Sequence, residues 1–283
     1  MLLLTNHSAP APDPPMFEGL LSRPIRIVWA SLILLTSLAW YQLFGGAGAT
    51  PGLSDAAVPL AHAHHFHASS QAWGWHELVI AFLMWLLMAV AMMLPTAAPA
   101  ILSFADLARA GRTELPAAAR VGVFVLGYLF AWWGFGLVAT MAQWGLASIA
   151  AQVPAINSAR PLLYGALLAA AGLYQFSALK DLCLTQCRSP MMFFLAHWRE
   201  GLQGASYLGL RHGVHCVGCC WALMALMLLA GTMNLACTAA LTFIMLLEKL
   251  APGGRVLARV VGFALIICGG GLMAFTFFRG DPS

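Results

Sequence analysis

Residues 77–103 read ELVIAFLMWLLMAVAMMLPTAAPAILS. About 20 apolar helical residues cross the roughly 30 Å hydrocarbon core of a bilayer, so this stretch spans it with residues to spare. The rest of the chain is of the same kind. Of its 283 residues 61% are hydrophobic and only 8% charged, with a mean hydropathy of +0.83. A soluble domain so composed would leave far too much apolar surface facing water. The fold expected is therefore all-α, a polytopic transmembrane helix bundle of about seven spans: 25–44, 77–103, 120–149, 161–179, 208–230, 234–250 and 256–278. The run from Cys216 to Leu250 suits a hairpin of two helices turning at Gly231-Thr232-Met233-Asn234.

Charge placement orients the spans. Arg23 and Arg26 precede the first. Arg109, Arg112 and Arg120 lie around the second loop, Lys180, Arg188, Arg199 and Arg211 in the fourth, and Lys249, Arg255 and Arg259 around the sixth, whereas the loop 45–76 has no basic residue. The positive-inside rule places the amino terminus and the even loops in the cytoplasm. The organisation expected is a disordered cytoplasmic terminus over 1–24, an anchor over 25–44, an external histidine-rich loop over 45–76 and a metal-binding helix bundle over 77–278. Ala47-Gly48-Ala49 has the look of a signal-peptide cleavage site. The apolar run before it is long for a signal, and Trp40 and Tyr41 read as an interfacial belt, so the segment reads as a retained anchor; cleavage would leave six spans.

Chemistry-bearing residues gather at the fifth span. His212, His215, Cys216, Cys219 and Cys220 stand at relative positions 0, 3, 4, 7 and 8, one stripe of a helix. Imidazole and thiolate together suit zinc, copper and iron, and a thiol-rich set with nearby methionines favours Cu(I), with zinc second. The bland reading is that small cysteines and glycines merely pack. Cys183 and Cys187 are one turn apart, on the same side of the membrane as the stripe. Pro190 ends their helix, and Lys180 and Arg188 flank them and favour thiolate.

Met84, Met88, Met92 and Met93 line the second span ahead of Pro95 and Pro99. Methionine at this spacing usually packs, but Met92 and Met93 lie in the half of the bilayer that holds the cysteines, and the prolines free backbone carbonyls. Met224 and Met227 extend a weak thioether ladder outward. Gln143, Tyr174, Gln175 and Glu248 are polar residues in apolar surroundings and should face protein or water. Glu248 and Lys249 form either an interfacial ion pair or a support for the histidines. Cys237 and Cys268 are isolated and read as packing residues. In the outer loop His62, His64, His65 and His67, with His76 beyond, can collect divalent metal, although their spacing sets no geometry.

The motifs Met92-Met93-Leu94-Pro95-Thr96-Ala97-Ala98-Pro99, Gly172-Leu173-Tyr174-Gln175 with Cys183 and Cys187-Arg188-Ser189-Pro190, His215 to Trp221, Gly231-Thr232-Met233-Asn234 and Glu248-Lys249 resemble a bacterial integral membrane family known as domain of unknown function 2182. The resemblance covers about residues 75 to 270. That family is described as metal-binding, and some of its members carry a copper-chaperone label. The resemblance implies a multi-pass protein of the bacterial inner membrane that handles metal.

The leading expectation is an integral membrane metal-binding protein for chaperoning, delivery or transport of copper. It would bind through His212, His215, Cys216, Cys219 and Cys220, with Cys183, Cys187, Met92 and Met93 as further soft donors. These exceed the two to four ligands that one ion takes. Its partners would be the lipid bilayer, the metal ion and a metal-donor or acceptor protein. No basic tract points to nucleic acid. A membrane thiol-disulfide oxidoreductase using Cys216/Cys219 and Cys183/Cys187 is the alternative, weakened by the reducing compartment. A transporter of organic solutes ranks last, for want of an inverted repeat. No nucleophile triad, phosphate loop or paired carboxylate points to a hydrolase or an ATP-driven pump.

Overall fold

The structure, a computed structural model, describes residues 23–47, 73–111, 115–153, 159–230 and 235–279. Among them every regular element is a helix: α1 (Arg23–Ala47), α2 (Trp75–Ala110), α3 (Ala117–Gln152), α4 (Arg160–Tyr174), α5 (Ala178–Arg188), α6 (Pro190–His197), α7 (Gly201–Ala225), α8 (Met227–Ala230), α9 (Leu235–Leu250) and α10 (Gly254–Arg279). The outer histidines His62 to His67, most of the expected disordered terminus, the residues following Ala47 and the turn at 231–234 lie outside the described residues.

Helices α1, α2, α3 and α10 are each long and apolar enough to cross a membrane, and α4 with α5, bent by 62°, makes a fifth such unit. The expected spans 208–230 and 234–250 are helical, as α7 and α9, but fall short of that measure. Arg211, His212 and His215 dilute the apolar character of α7, and α9 has only 16 residues and ends in Glu248-Lys249-Leu250. The expected span 161–179 ends early, because the chain turns at Gln175-Phe176-Ser177 and restarts as α5, capped by the Ser177 hydroxyl accepting from the Lys180 amide. As expected, Pro190 separates that helix from the next: α5 stops at Arg188 and Pro190 opens α6.

Helix α2 is the central element, and Met84, Trp85, Met88, Met92, Met93 and Phe104 on it are buried. Pro95 has no N–H for the Ala91 carbonyl, four residues earlier. The Trp40 indole of α1 donates to that carbonyl at 3.1 Å. Trp40 is thus turned inward rather than forming a belt with Tyr41, which is exposed. On α3, Gln143 is buried and accepts from the Trp85 indole at 3.2 Å.

Helices α3 and α7 meet along a seam of small residues. A Cβ on Gly213 would stand 2.7 Å from Ala131 Cβ and 2.8 Å from the Tyr128 carbonyl, and one on Gly209 would overlap the Phe124 carbonyl. Only glycine permits this approach, and it brings the α7 stripe against Tyr128. A similar seam joins Gly165 and Gly172 of α4 to Gly269 and Gly262 of α10.

Candidate metal centre

Four thiols from two helices gather inside the bundle. On α7, Cys216, Cys219 and Cys220 are all buried; from α5, Cys187 reaches across to them. Cys219 Sγ lies 3.4 Å from Cys220 Sγ and 3.8 Å from Cys187 Sγ, and the Cys219 thiol donates to the Cys216 carbonyl at 3.2 Å. Positions three and four apart fall on one helical face, so α7 delivers its three thiols together.

The floor of the cluster comes from three further helices. The Lys249 ammonium of α9 donates to Cys216 Sγ at 3.0 Å and to Thr96 Oγ1 of α2 at 2.9 Å. Tyr128 of α3 places its hydroxyl 3.1 Å from Cys216 Sγ and donates to the Met93 carbonyl, also at 3.1 Å. Thr96 in turn donates to the Met93 carbonyl at 2.9 Å. A buried ammonium beside a sulfur supplies the counter-charge that a buried thiolate requires.

A second polar group holds this arrangement from behind. Lys180 and Glu248, each 1% exposed, form an ion pair of 2.7 Å between α5 and α9, and Lys180 also donates to the Gln175 side-chain oxygen. The Gln175 amide reaches Glu248 Oε1 at 3.4 Å, and Arg188 donates to the Glu248 and Pro252 carbonyls. These contacts correct two expectations. Lys180 and Arg188 serve Glu248 and backbone carbonyls rather than the thiols beside them. Glu248 and Lys249 do not pair with each other: neighbouring side chains on a helix diverge by about 100°, so one meets Lys180 and the other Cys216.

The remaining candidates sit around this cluster. Cys183 is buried with its sulfur against α7, where a Cβ on Gly218 would come within 2.6 Å of it. His212 is enclosed by the rings of Phe124, Tyr128, Phe193 and Phe194, with a buried Nδ1 that has no hydrogen-bond partner. His215 is half-buried beside Phe193. Met92 and Met93 are fully buried in α2, and Met93 Sδ lies 4.0 Å from the Thr96 hydroxyl. Cys237 is partly buried and Cys268 exposed. Among the described residues no three His, Cys, Asp or Glu side chains are disposed as ready ligands around one point. The arrangement is a cluster of touching thiols with a cation beside it.

Sequence reasoning missed Tyr128 and Thr96 and misplaced the role of Lys249. A signal existed for the last, since an ionisable residue in an apolar segment marks a functional position. Tyr128 is one aromatic among many on α3.

A family model described as PpoB2, copper chaperone, matches residues 82–272, most of the chain. The match includes every cysteine, Tyr128 and Lys249, and leaves out His62 to His67. No curated protein and no solved structure matches the chain.

Proposed function

Because the chain belongs to the PpoB2 copper chaperone family, we propose that it carries Cu(I) as cargo on the thiol cluster of Cys187, Cys216, Cys219 and Cys220, inside a membrane helix bundle and near its cytoplasmic face. The observation that carries this reading is the contact of Cys219 with both Cys220 and Cys187, which joins α5 to α7, with Cys216 one turn before Cys220 against the Lys249 ammonium. Soft thiolates select Cu(I) over harder ions. The Cys187–Cys219 separation of 3.8 Å brings a thiol from each of two helices within reach of one shared ion.

Charge balance supports the same assignment. Two thiols that bind Cu(I) release two protons and leave a bis-thiolate complex of net charge −1. In a low-dielectric interior that charge needs a partner, and the Lys249 ammonium is the cation at hand. The imidazole of His212, one turn before Cys216 with its Nδ1 unpartnered, is a further candidate donor, and Cys183 of α5 lies against Gly218 of α7. More thiols than one Cu(I) requires allows ligand exchange, in which the ion passes from one pair to the next and then to an acceptor protein. Arg188 at the end of α5, Lys249 near the end of α9 and Arg255 and Arg259 at the start of α10 support a cytoplasmic placement of this end of the bundle in the bacterial inner membrane.

The test is metal content by mass spectrometry on detergent-purified chain prepared without oxygen. Wild type is compared with a Cys216→Ser/Cys219→Ser/Cys220→Ser variant and with Cys268→Ser as control. Near-stoichiometric copper in wild type and control, lost in the triple variant, is expected. Equal metal in all three, or none in any, overturns the assignment. The 3.8 Å approach of Cys187 to Cys219 also favours a second reading, thiol-disulfide exchange. A copper-free chain that catalyses thiol–disulfide exchange between an added dithiol and an added disulfide substrate would establish that reading instead.

A further inference from the structure

Between α6 and the start of α7 a cavity of about 200 Å³ is lined by His197, Trp198, Arg199, Tyr207 and Arg211. Both guanidiniums face the same phenol ring. Arg199 stacks over Tyr207 at 4.3 Å from the ring centre, Arg211 lies 6.0 Å from it, and Arg211 donates to the Tyr207 hydroxyl at 3.0 Å. Neither has a carboxylate partner among the described residues. Among the described residues the ion pairs are Arg109 with Asp106 and Lys180 with Glu248, and the neighbouring acid, Glu200, is exposed and paired with neither arginine. A second basic cavity, between α5 and α10, also lacks a carboxylate, but both of its guanidiniums, rather than one, are held by hydrogen bonds. Its Arg188 is committed to the Glu248 and Pro252 carbonyls and its Arg255 to the Thr185 hydroxyl.

The surroundings of the first cavity are apolar and open. Met192 and Leu195 of α6 are 68% and 62% exposed. On α7 the exposed Leu210, Val214 and Trp221, four and seven residues apart, form one apolar face next to the side that carries Arg211. Two unpaired guanidiniums at the head of an exposed apolar stripe match the two ends of an anionic phospholipid, a phosphate to be held by planar donors and acyl chains to lie against a helix.

We propose that this cavity is a binding site for a phosphate-bearing anion, held between Arg199 and Arg211, with an anionic phospholipid headgroup as its source. The Tyr207 ring engages both guanidiniums, Trp198 and His197 line the cavity beside them, and Leu210 and Val214 take the first acyl carbons. Because α7 also carries Cys216, Cys219 and Cys220, an occupied site pins the end of the helix that bears the thiol cluster. The site rests on groups distinct from the thiols and stands whether or not copper binds there.

Native mass spectrometry of the detergent-purified full chain, titrated with phosphatidylglycerol or phosphatidylcholine, tests the proposal. Wild type is compared with Arg199→Gln/Arg211→Gln and with the single variant Arg199→Gln, whose exposed side chain keeps the test open should the double variant misfold. The expected result is one retained phosphatidylglycerol, no retained phosphatidylcholine, and roughly thirtyfold weaker binding in the double variant. Inorganic phosphate is titrated in parallel by thermal shift. Stabilisation by phosphate that both variants lose, without lipid retention, keeps the anion site and assigns it a soluble source. Equal retention of both lipids, or binding unchanged by either variant, overturns the proposal.

Discussion

Lys249 and Cys216, on different helices, meet inside the bundle with Nζ 3.0 Å from Sγ. The contact joins the end of α9 to the middle of the α7 stripe and sets a positive charge against the sulfur that also touches Tyr128. It makes α9 part of the site.

Replacing Lys249 by Met keeps the chain length and removes the charge. If the ammonium offsets a Cu(I) bis-thiolate, the variant binds Cu(I) about 10- to 100-fold more weakly, the range seen when a group supporting metal ligands is lost. Competition against a chromophoric Cu(I) chelator under anaerobic conditions measures this. Unchanged affinity with intact folding removes Lys249 from the site.

Tyr128→Phe deletes one hydroxyl and keeps the ring. The Met93 carbonyl and Cys216 both lose a contact of 3.1 Å, at a cost of about 0.5–1.5 kcal/mol. The same competition assay should show a severalfold drop in Cu(I) affinity, smaller than that of Lys249→Met.

Lys180 and Glu248 are a fully buried pair, so removing one partner strands the other. Lys180→Met should destabilise the protein by about 3–5 kcal/mol, while Lys180→Met with Glu248→Leu should recover much of that loss. Thermal unfolding in detergent, followed by circular dichroism, distinguishes the single from the double variant.

The seam between α3 and α7 has a sharp steric test. Gly209→Leu forces a side chain into the Phe124 backbone and should abolish accumulation of folded protein. Gly134→Leu, where a Cβ meets nothing within 4 Å, should be tolerated. Size-exclusion profiles of the two purified variants give the answer.

Trp40→Phe leaves the Ala91 carbonyl without its indole donor, at a cost of about 1–3 kcal/mol. Pro95→Ala restores a backbone N–H to that same carbonyl. The double variant should therefore be more stable than Trp40→Phe alone, which unfolding midpoints of the four combinations will show.

Composition and periodicity by themselves determined that the chain is an all-helical bundle built around long apolar segments, because apolar runs of that length at helical spacing bury against one another as helices. The stripe at 212–220 was equally legible, since helical spacing alone places those residues on one arc. The same spacing says nothing about which neighbour each side chain meets. Cys187 joins Cys219 because α5 bends by 62° away from α4 and crosses α7. Tyr128 reaches Cys216 because glycines let α3 approach α7. Lys249 faces the thiols and Glu248 faces Lys180 because adjacent residues diverge around a helix. Local pattern is a property of one segment, whereas these contacts are set by the crossing and rotation of separate helices, which only tertiary packing decides.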